Sequence, residues 1–321
     1  MNKHTITAFT LTAALAMTAC TEQDVTQEAD DELDPRGAVY SCPAWKCGFN
    51  AAEVNGRSLQ ELNLDGLPNA DGARIVGIVP PPLTLLGGYK LDVDNDELVL
   101  RKGNSVLRGS QLVGTILLVQ LPIGLPVPVT ILDYTTVPSW AEGQPPIAAY
   151  TLVYPEPMEL LGVKNVCTGS LLDPLASVAT VLGGERYDEA SKTVLPNQSR
   201  WFTLACAGSA AAKLKLLGYG PQSSATTPAQ RQATLKMITA DYCGGGESYT
   251  ENGTEVQWIN RSGAVGPSEG ELGAVEAIWD EHGALCLEAT RLPGVEVGCA
   301  LPTCSDFTVD DGEWITHVPP P

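Results

Sequence analysis

Residues 112–132 read LVGTILLVQLPIGLPVPVTIL, and this stretch decides the fold. Two apolar runs, 112–121 and 127–132, flank a connection rich in proline and glycine. Neither run has the periodicity of an amphipathic helix, and proline and glycine are typical of turns. The stretch therefore predicts two short β-strands joined by a short connection.

The same pattern continues on both sides of this stretch. Residues 73–79 form a β-branched run, and residues 149–154 form another apolar run. Segments 97–101 and 106–108 flank Gly103-Asn104, which predicts a hairpin. Strands this short and close favour a small antiparallel sandwich or barrel.

The second half of the chain mixes helices with hairpins. Residues 208–217 are rich in alanine and leucine and stop at Gly218, which predicts a helix. Thr227 to Gln230 has the form of a capping box with proline in the first helical position, and the helix it opens should run to about Asp241.

Two hairpins are predicted after this helix. One spans residues 250–255 and centres on Asn-Gly, and the other pairs 274–279 with 284–289. The predicted fold is α+β and mainly β, with a β-rich domain at 40–165 and a disulfide-stapled α+β domain at 166–316.

Composition and charge exclude several classes of function. The chain has 321 residues, 44% of them hydrophobic, and a formal net charge of -19. An acidic chain repels phosphate backbones, so nucleic acid is excluded as a partner. The sequence has no P-loop, dinucleotide-binding, zinc-protease or serine-hydrolase motif, and we expect no cofactor.

The N-terminus predicts export. Residues 1–19 have a weakly positive start and an apolar run that is too short to span a membrane, as in a signal peptide. Residues 17–20, Met-Thr-Ala-Cys, resemble the lipobox of bacterial lipoproteins. The resemblance implies cleavage before Cys20, a lipid on its sulfur, and a place in the bacterial cell envelope, at the outer membrane or cell surface. The alternative is an ordinary signal peptide cut after Ala19.

Residues 20–39 follow the lipidation site and are strongly acidic. Seven acidic side chains stand against the single basic residue Arg36, with almost nothing apolar. Such a segment cannot bury enough apolar surface to offset the entropy of ordering. We expect a disordered tether.

The cysteine count also predicts an oxidising compartment. Of nine cysteines, eight remain if Cys20 carries lipid, and an even number predicts four disulfides. The candidates are Cys42, Cys47, Cys167, Cys206, Cys243, Cys286, Cys299 and Cys304. The pairs Cys42/Cys47 and Cys299/Cys304 share one spacing and predict local disulfide loops, with a four-thiolate zinc site as the alternative.

A four-residue motif resembles a known family. The run Ala240-Asp241-Tyr242-Cys243, followed by three glycines, is similar to the signature of the ADYC domain of secreted bacterial proteins. Further similar blocks are found at 205–208, 218–221, 277–279 and 283–286. The resemblance covers roughly Val166 to Arg291. It departs from the family at Leu214, where a cysteine is expected, and it implies no particular activity.

The motif residues suit structural roles. Cys243 follows the predicted helix, and a bridge to Cys286 would staple the helix to the second hairpin. Tyr242 is predicted to pack in the core, and Asp241 to accept hydrogen bonds from backbone donors in the glycine turn. The alternative is a Cys243 nucleophile, for which only His282 and His317 remain as bases after signal cleavage.

A run of alternating acidic residues resembles a calcium-binding loop. Asp92, Asp94 and Asp96 have the spacing of a calcium loop, but the sixth and twelfth positions are Glu97 and Gly103 instead of glycine and glutamate. A polar hairpin turn is the favoured interpretation, and a weak calcium site is the alternative.

The leading hypothesis is a non-enzymatic, lipid-anchored surface protein with a binding or structural role toward an envelope or extracellular partner. The alternative is a secreted hydrolase built from carboxylates such as Asp241. A binding protein should expose an apolar or aromatic patch. An enzyme should bring several carboxylates with displaced pKa values together.

Overall fold

The computed structural model describes residues 51–82, 87–156, 159, 162–167, 177–223, 225–251 and 253–319. These residues all belong to one compact unit, Leu33–Pro321. The predicted signal peptide, Cys20, the acidic tether and the Cys42/Cys47 pair lie outside the described residues. None of the helices in the described part of the chain is long and apolar enough to cross a membrane.

Strands dominate the described residues. The elements in chain order are β1 (Glu53–Val54), β2 (Arg57–Ser58), β3 (Glu61–Asn63), β4 (Arg74–Val79), β5 (Lys90–Asp94), β6 (Glu97–Lys102), β7 (Ser105–Arg108), β8 (Ile116–Gln120), β9 (Val127–Val137), β10 (Ile147–Pro155), β11 (Val163–Asn165), β12 (Ala179–Gly183), β13 (Arg186–Asp188), β14 (Thr193–Leu195), β15 (Trp201–Cys206), α1 (Ala210–Leu216), α2 (Pro228–Thr239), β16 (Gln257–Asn260), β17 (Ala274–Asp280), β18 (Gly283–Leu287) and β19 (Trp314–Val318). Short 3-10 turns lie at Gly109–Leu112, Cys304–Asp306 and Val309–Asp311.

The largest sheet is antiparallel and nearly closed. Its strand order is β3-β15-β12-β10-β9-β8-β4, with β11 paired to β10. The edge strands β3 and β4 lie beside each other. The turn after β3 packs closely on β4, because a Cβ added to Gly66 would lie 2.9 Å from the carbonyl oxygen of Ile75. The predicted mainly β fold with a barrel-like sheet is confirmed.

The stretch that decided the prediction forms the β8–β9 hairpin. Leu117 pairs with Val129, and Val119 with Val127. Alternate side chains point inward, so Leu117, Val119 and Val129 are buried in the core of the large sheet. The hairpin predicted around Gly103-Asn104 is also present as β6–β7.

In the second half α2 packs on a four-stranded sheet of order β16-β19-β17-β18, and α1 packs on α2 and on strands β12 and β15 of the large sheet. The start of α2 is as predicted, and α1 begins at Ala210 instead of the predicted Gly208. Ser209 caps α1, and at α2 the Thr227 hydroxyl accepts from the Gln230 N–H while the Gln230 side chain accepts from the Thr227 N–H. The Trp314 indole N–H donates to the Thr234 hydroxyl (2.8 Å), which fixes α2 against β19.

One predicted hairpin is wrong. The described residues between 249 and 256 form no strand. Glu251 makes turn hydrogen bonds with Thr254, accepting the Thr254 N–H (3.2 Å) and donating its own N–H to the Thr254 hydroxyl (3.2 Å). The next strand, β16, pairs instead with the distant β19. The residues that flank the predicted turn lack the alternating apolar side chains that two paired strands need. The hairpin β17–β18 is present as predicted.

Two buried apolar cores run through the described residues. One lies within the large sheet and includes Tyr150 and Phe202, and the other lies between the helices and the four-stranded sheet and includes Trp279 and Trp314. The domain boundary predicted at residue 165 falls inside the large sheet. Strands β10 and β12 pair across it, and β3 pairs with β15.

Candidate functional site

The four motif residues lie at the end of α2, where the chain reverses. Ala240 has a left-handed backbone with φ of 49° and is fully buried. The Asp241 N–H donates to the Lys236 carbonyl (3.0 Å), which closes the last turn of the helix. A left-handed alanine costs about 1–2 kcal/mol, so the surrounding contacts must hold it in place.

Asp241 is fully buried in an ion pair. Its Oδ2 atom lies 2.7 Å from the Lys236 Nζ atom and accepts the Gly246 N–H at 2.8 Å. The Lys236 ammonium also donates to the carbonyls of Ser191 (2.9 Å) and Gly244 (3.0 Å), so all three of its protons are used. The prediction that Asp241 accepts from the glycine turn is confirmed.

Tyr242 joins a second buried ion pair. Its hydroxyl donates to Glu276 Oε1 (2.7 Å) and accepts the Arg291 N–H (2.8 Å). Arg291 pairs with Glu276 and donates to the Met237 carbonyl at the end of α2. Burial, followed by the charge of Glu276, raises the pKa of the Tyr242 phenol. The ring stacks on Trp279, so the predicted packing role is confirmed.

The disulfides differ from the predicted pairs. Among the described residues the bonds are Cys167–Cys206, Cys243–Cys299 and Cys286–Cys304. Both the predicted Cys243–Cys286 bridge and the predicted Cys299–Cys304 loop are therefore wrong. With its sulfur bonded, Cys243 is not the free nucleophile of the alternative hypothesis.

The course of the chain before Cys304 explains this pairing. The Leu287 N–H donates to the Pro302 carbonyl (2.9 Å), so this segment lies against the end of β18 and brings Cys304 to Cys286. A few residues earlier the Gly298 N–H donates to the Tyr249 hydroxyl (3.2 Å), which places Cys299 near the glycine turn. The two cysteines of one short pair thus reach two different partners.

A family model matches the part of the chain that contains this motif. The model of the ADYC domain matches residues 109–293, which is more than half of the chain. The chain belongs to the ADYC domain family. The match begins well before Val166, so the expected extent of the resemblance was too short. No curated protein and no solved structure matches the chain.

A further polar cluster joins the β5–β6 turn, which precedes the residues that the ADYC model matches, to the ADYC domain. Asp96, in the turn between β5 and β6, accepts the Gly183 N–H (2.7 Å). Lys215, on α1, donates to the Asp96 carbonyl (3.0 Å), the Thr180 hydroxyl (3.0 Å) and the Val181 carbonyl (2.7 Å). The contacts tie the hairpin, the large sheet and α1 together.

Burial displaces both pKa values in this cluster. It raises the pKa of Asp96 to about 6, against the opposing effects of Lys215 and the Gly183 hydrogen bond. Burial lowers the pKa of Lys215 to about 8, although Asp96 opposes the shift. The sequence shows no clear sign of this pair beyond two lysines, Lys213 and Lys215, on an otherwise apolar helix segment.

The three acids of the alternative calcium site do not converge. Asp92 and Asp94 both pair with Arg101, and Asp94 also pairs with Arg108. Asp96 is buried against Gly183 instead. The polar hairpin interpretation is confirmed, because these residues form β5 and its turn to β6. In the part of the chain that the structure describes, no cluster of three or more histidine, cysteine or acidic side chains is arranged to hold a metal ion.

One exposed feature of the ADYC domain was also missed. The connection between β8 and β9, residues 121–126, is named here the apolar loop. At its tip Ile123 and Leu125 are 87% and 86% exposed. The signal in the sequence was a turn with two large apolar side chains where turns are normally polar.

Proposed function

We propose that this ADYC domain protein is an exported, lipid-anchored envelope protein that binds rather than catalyses. Residues 1–19 direct export, Cys20 carries the lipid, and residues 20–39 form the acidic tether. The folded part presents a binding surface at the envelope or outside the cell.

One observation carries the binding role. The family motif is buried and occupied by structural contacts, whereas large apolar side chains are exposed at the apolar loop. Asp241 is paired with Lys236, and Tyr242 with Glu276. An exposed apolar tip of this kind marks interaction surfaces.

Disulfides support the proposed export. Three bonds are present among the described residues, and such bonds persist in oxidising compartments. The net charge of -19 argues against nucleic acid as the partner.

A carboxylate-dependent hydrolase is the second candidate. The observation that favours it is the Asp96–Lys215 cluster, in which a carboxyl group and an amine both have pKa values displaced toward neutrality. However, Asp96 is buried and all three protons of Lys215 are used, which suits a structural tie.

Membrane fractionation tests the proposed anchor. The full chain and its Cys20→Ser variant are expressed in a bacterial host, and the membrane fraction is partitioned into detergent. We expect the parent chain to be in the detergent phase and the variant to be released in soluble form. Equal partitioning of the two chains would exclude Cys20 as the anchor.

A further inference from the structure

We infer that the apolar loop inserts into the interface of a phospholipid bilayer. The inference rests on the proposed function, which holds the protein at a membrane. No acidic or basic residue occurs from 109 to 132, although the whole chain has a net charge of -19. An uncharged, apolar tip on an acidic body matches the apolar part of a lipid interface, which takes up side chains such as leucine and isoleucine.

Several backbone polar groups of the apolar loop are hydrogen-bonded or absent, which suits an apolar environment. The Gln120 side-chain amide donates to the carbonyls of Leu121 (2.7 Å) and Gly124 (3.0 Å). Pro122 and Pro126 have no N–H group to satisfy. Unpaired backbone polar groups are the main cost of placing a loop in lipid, and this loop has fewer of them than its length implies.

The loop is also held in a fixed position. Pro122 packs on the turn that precedes β4, since a Cβ added to Gly72 in that turn would lie 2.7 Å from the Pro122 Cγ atom. Strands β8 and β9 support the loop from below with the buried side chains of Val119 and Val129. Because the tip is already ordered, binding does not have to order it.

Other exposed apolar side chains lie at the same end of the sheet. Val76 is at the bulge of β4, next to the pair formed by Ile75 and Val119. Leu67 is exposed and follows Gly66, which packs on Ile75. Together with the tip they enlarge the apolar surface that could meet the membrane.

The length of chain between Cys20 and the described residues allows this contact. Residues 21–50 span at most about 100 Å when fully extended, so a lipid on Cys20 leaves the loop free to reach the same membrane. A second membrane contact on the same molecule increases the total affinity for the membrane.

Vesicle flotation tests the loop separately from the anchor. The probe is phosphatidylcholine vesicles, and the protein is the predicted mature chain, residues 20–321, with Cys20→Ser so that no lipid is attached. We expect flotation that 1 M salt leaves unchanged, and a loss of about tenfold or more in partitioning for Ile123→Ser/Leu125→Ser. The matched control is Val79→Ser/Val113→Ser, which removes two exposed valines near the opposite end of β4 and should float like the parent.

Several outcomes would overturn the inference. These are no flotation of the parent chain, equal flotation of the loop variant, or binding that needs anionic lipid and disappears in salt. Dimerisation that depends on Ile123 and Leu125 without flotation would assign the tip to a second copy of the chain. Because the protein lacks the lipid, failure here leaves the Cys20 anchor to be judged by fractionation alone.

Discussion

Lys236 and Asp241 form a buried ion pair across the end of α2, with 2.7 Å between Nζ and Oδ2. The pair joins the last turn of the helix to the glycine turn that follows it. The Asp241 carboxylate also receives the Gly246 N–H, so the second residue of the family motif holds the chain reversal in place.

Removing one partner of this pair should destabilise the fold strongly. Asp241→Asn leaves the Lys236 ammonium without its counter-charge in the protein interior, and we expect a loss of about 3–5 kcal/mol in the free energy of unfolding. Denaturant unfolding measures it. The control is Asp65→Asn, which breaks the exposed pair with Arg200 and should change stability little. Equal effects of the two substitutions would contradict a structural role for Asp241.

The Tyr242 hydroxyl should matter apart from its ring. Tyr242→Phe keeps the stacking on Trp279 but leaves the Arg291 N–H without a partner and removes one hydrogen bond to Glu276, so we expect a loss of about 1–3 kcal/mol. Thermal and denaturant unfolding measure this loss. Tyr89→Phe is the control, because Tyr89 is only partly buried and the substitution keeps its ring beneath the Lys102 ammonium. If both substitutions were neutral, the hydrogen bonds of Tyr242 would not contribute to stability.

The disulfide pairing is directly testable. Peptide mapping of unreduced protein should recover a Cys243–Cys299 cross-link and a Cys286–Cys304 cross-link. Replacing Cys243 and Cys299 together by serine should cost about 2–4 kcal/mol, because the unfolded chain loses a long closed loop. Recovery of a Cys299–Cys304 peptide would show that the described pairing is wrong.

Asp96 should make stability depend on pH in a defined direction. Its pKa is raised to about 6 in the folded state, above the ordinary value near 3.8, so the folded protein binds the proton more tightly than the unfolded chain. The cost of burying the charge is fully present above pH 6 and is relieved as the pH falls toward 4.

The Asp96→Asn variant isolates this effect, since it keeps the acceptor for the Gly183 N–H. We expect the wild-type protein to gain roughly 2–3 kcal/mol relative to the variant between pH 7 and pH 4. Urea unfolding at several pH values measures the difference between the two proteins. A difference that is constant with pH, or that changes in the opposite direction, would contradict the displaced pKa.

Local features of the sequence predicted much of the fold. The capping box at Thr227 fixed the start of α2, and the Gly103-Asn104 turn fixed the β6–β7 hairpin, because both depend on residues close in sequence. The type of contact was also predicted for two motif residues: hydrogen bonds from the glycine turn for Asp241, and packing in the core for Tyr242. Their exact partners, such as Glu276 and Arg291, depend on how distant strands pack against α2.

Features that depend on distant parts of the chain were missed. The disulfide partners of Cys299 and of Cys304 depend on how the chain crosses the end of β18, and the spacing of the two cysteines does not reveal this. Lys215 meets Asp96 only because the large sheet brings their elements together. Ile123 lies in the predicted connection between two apolar runs, and its exposure depends on how the β8–β9 hairpin sits in the folded sheet.

The central claim, that this is an exported protein anchored through Cys20, is tested most directly by the intact mass of protein purified from its host membrane, before and after reduction. The account predicts a chain that begins at Cys20 and carries a diacylglyceryl group, with the other eight cysteines all in disulfides. A mature chain that begins at any other residue, or that carries several free thiols, would contradict it.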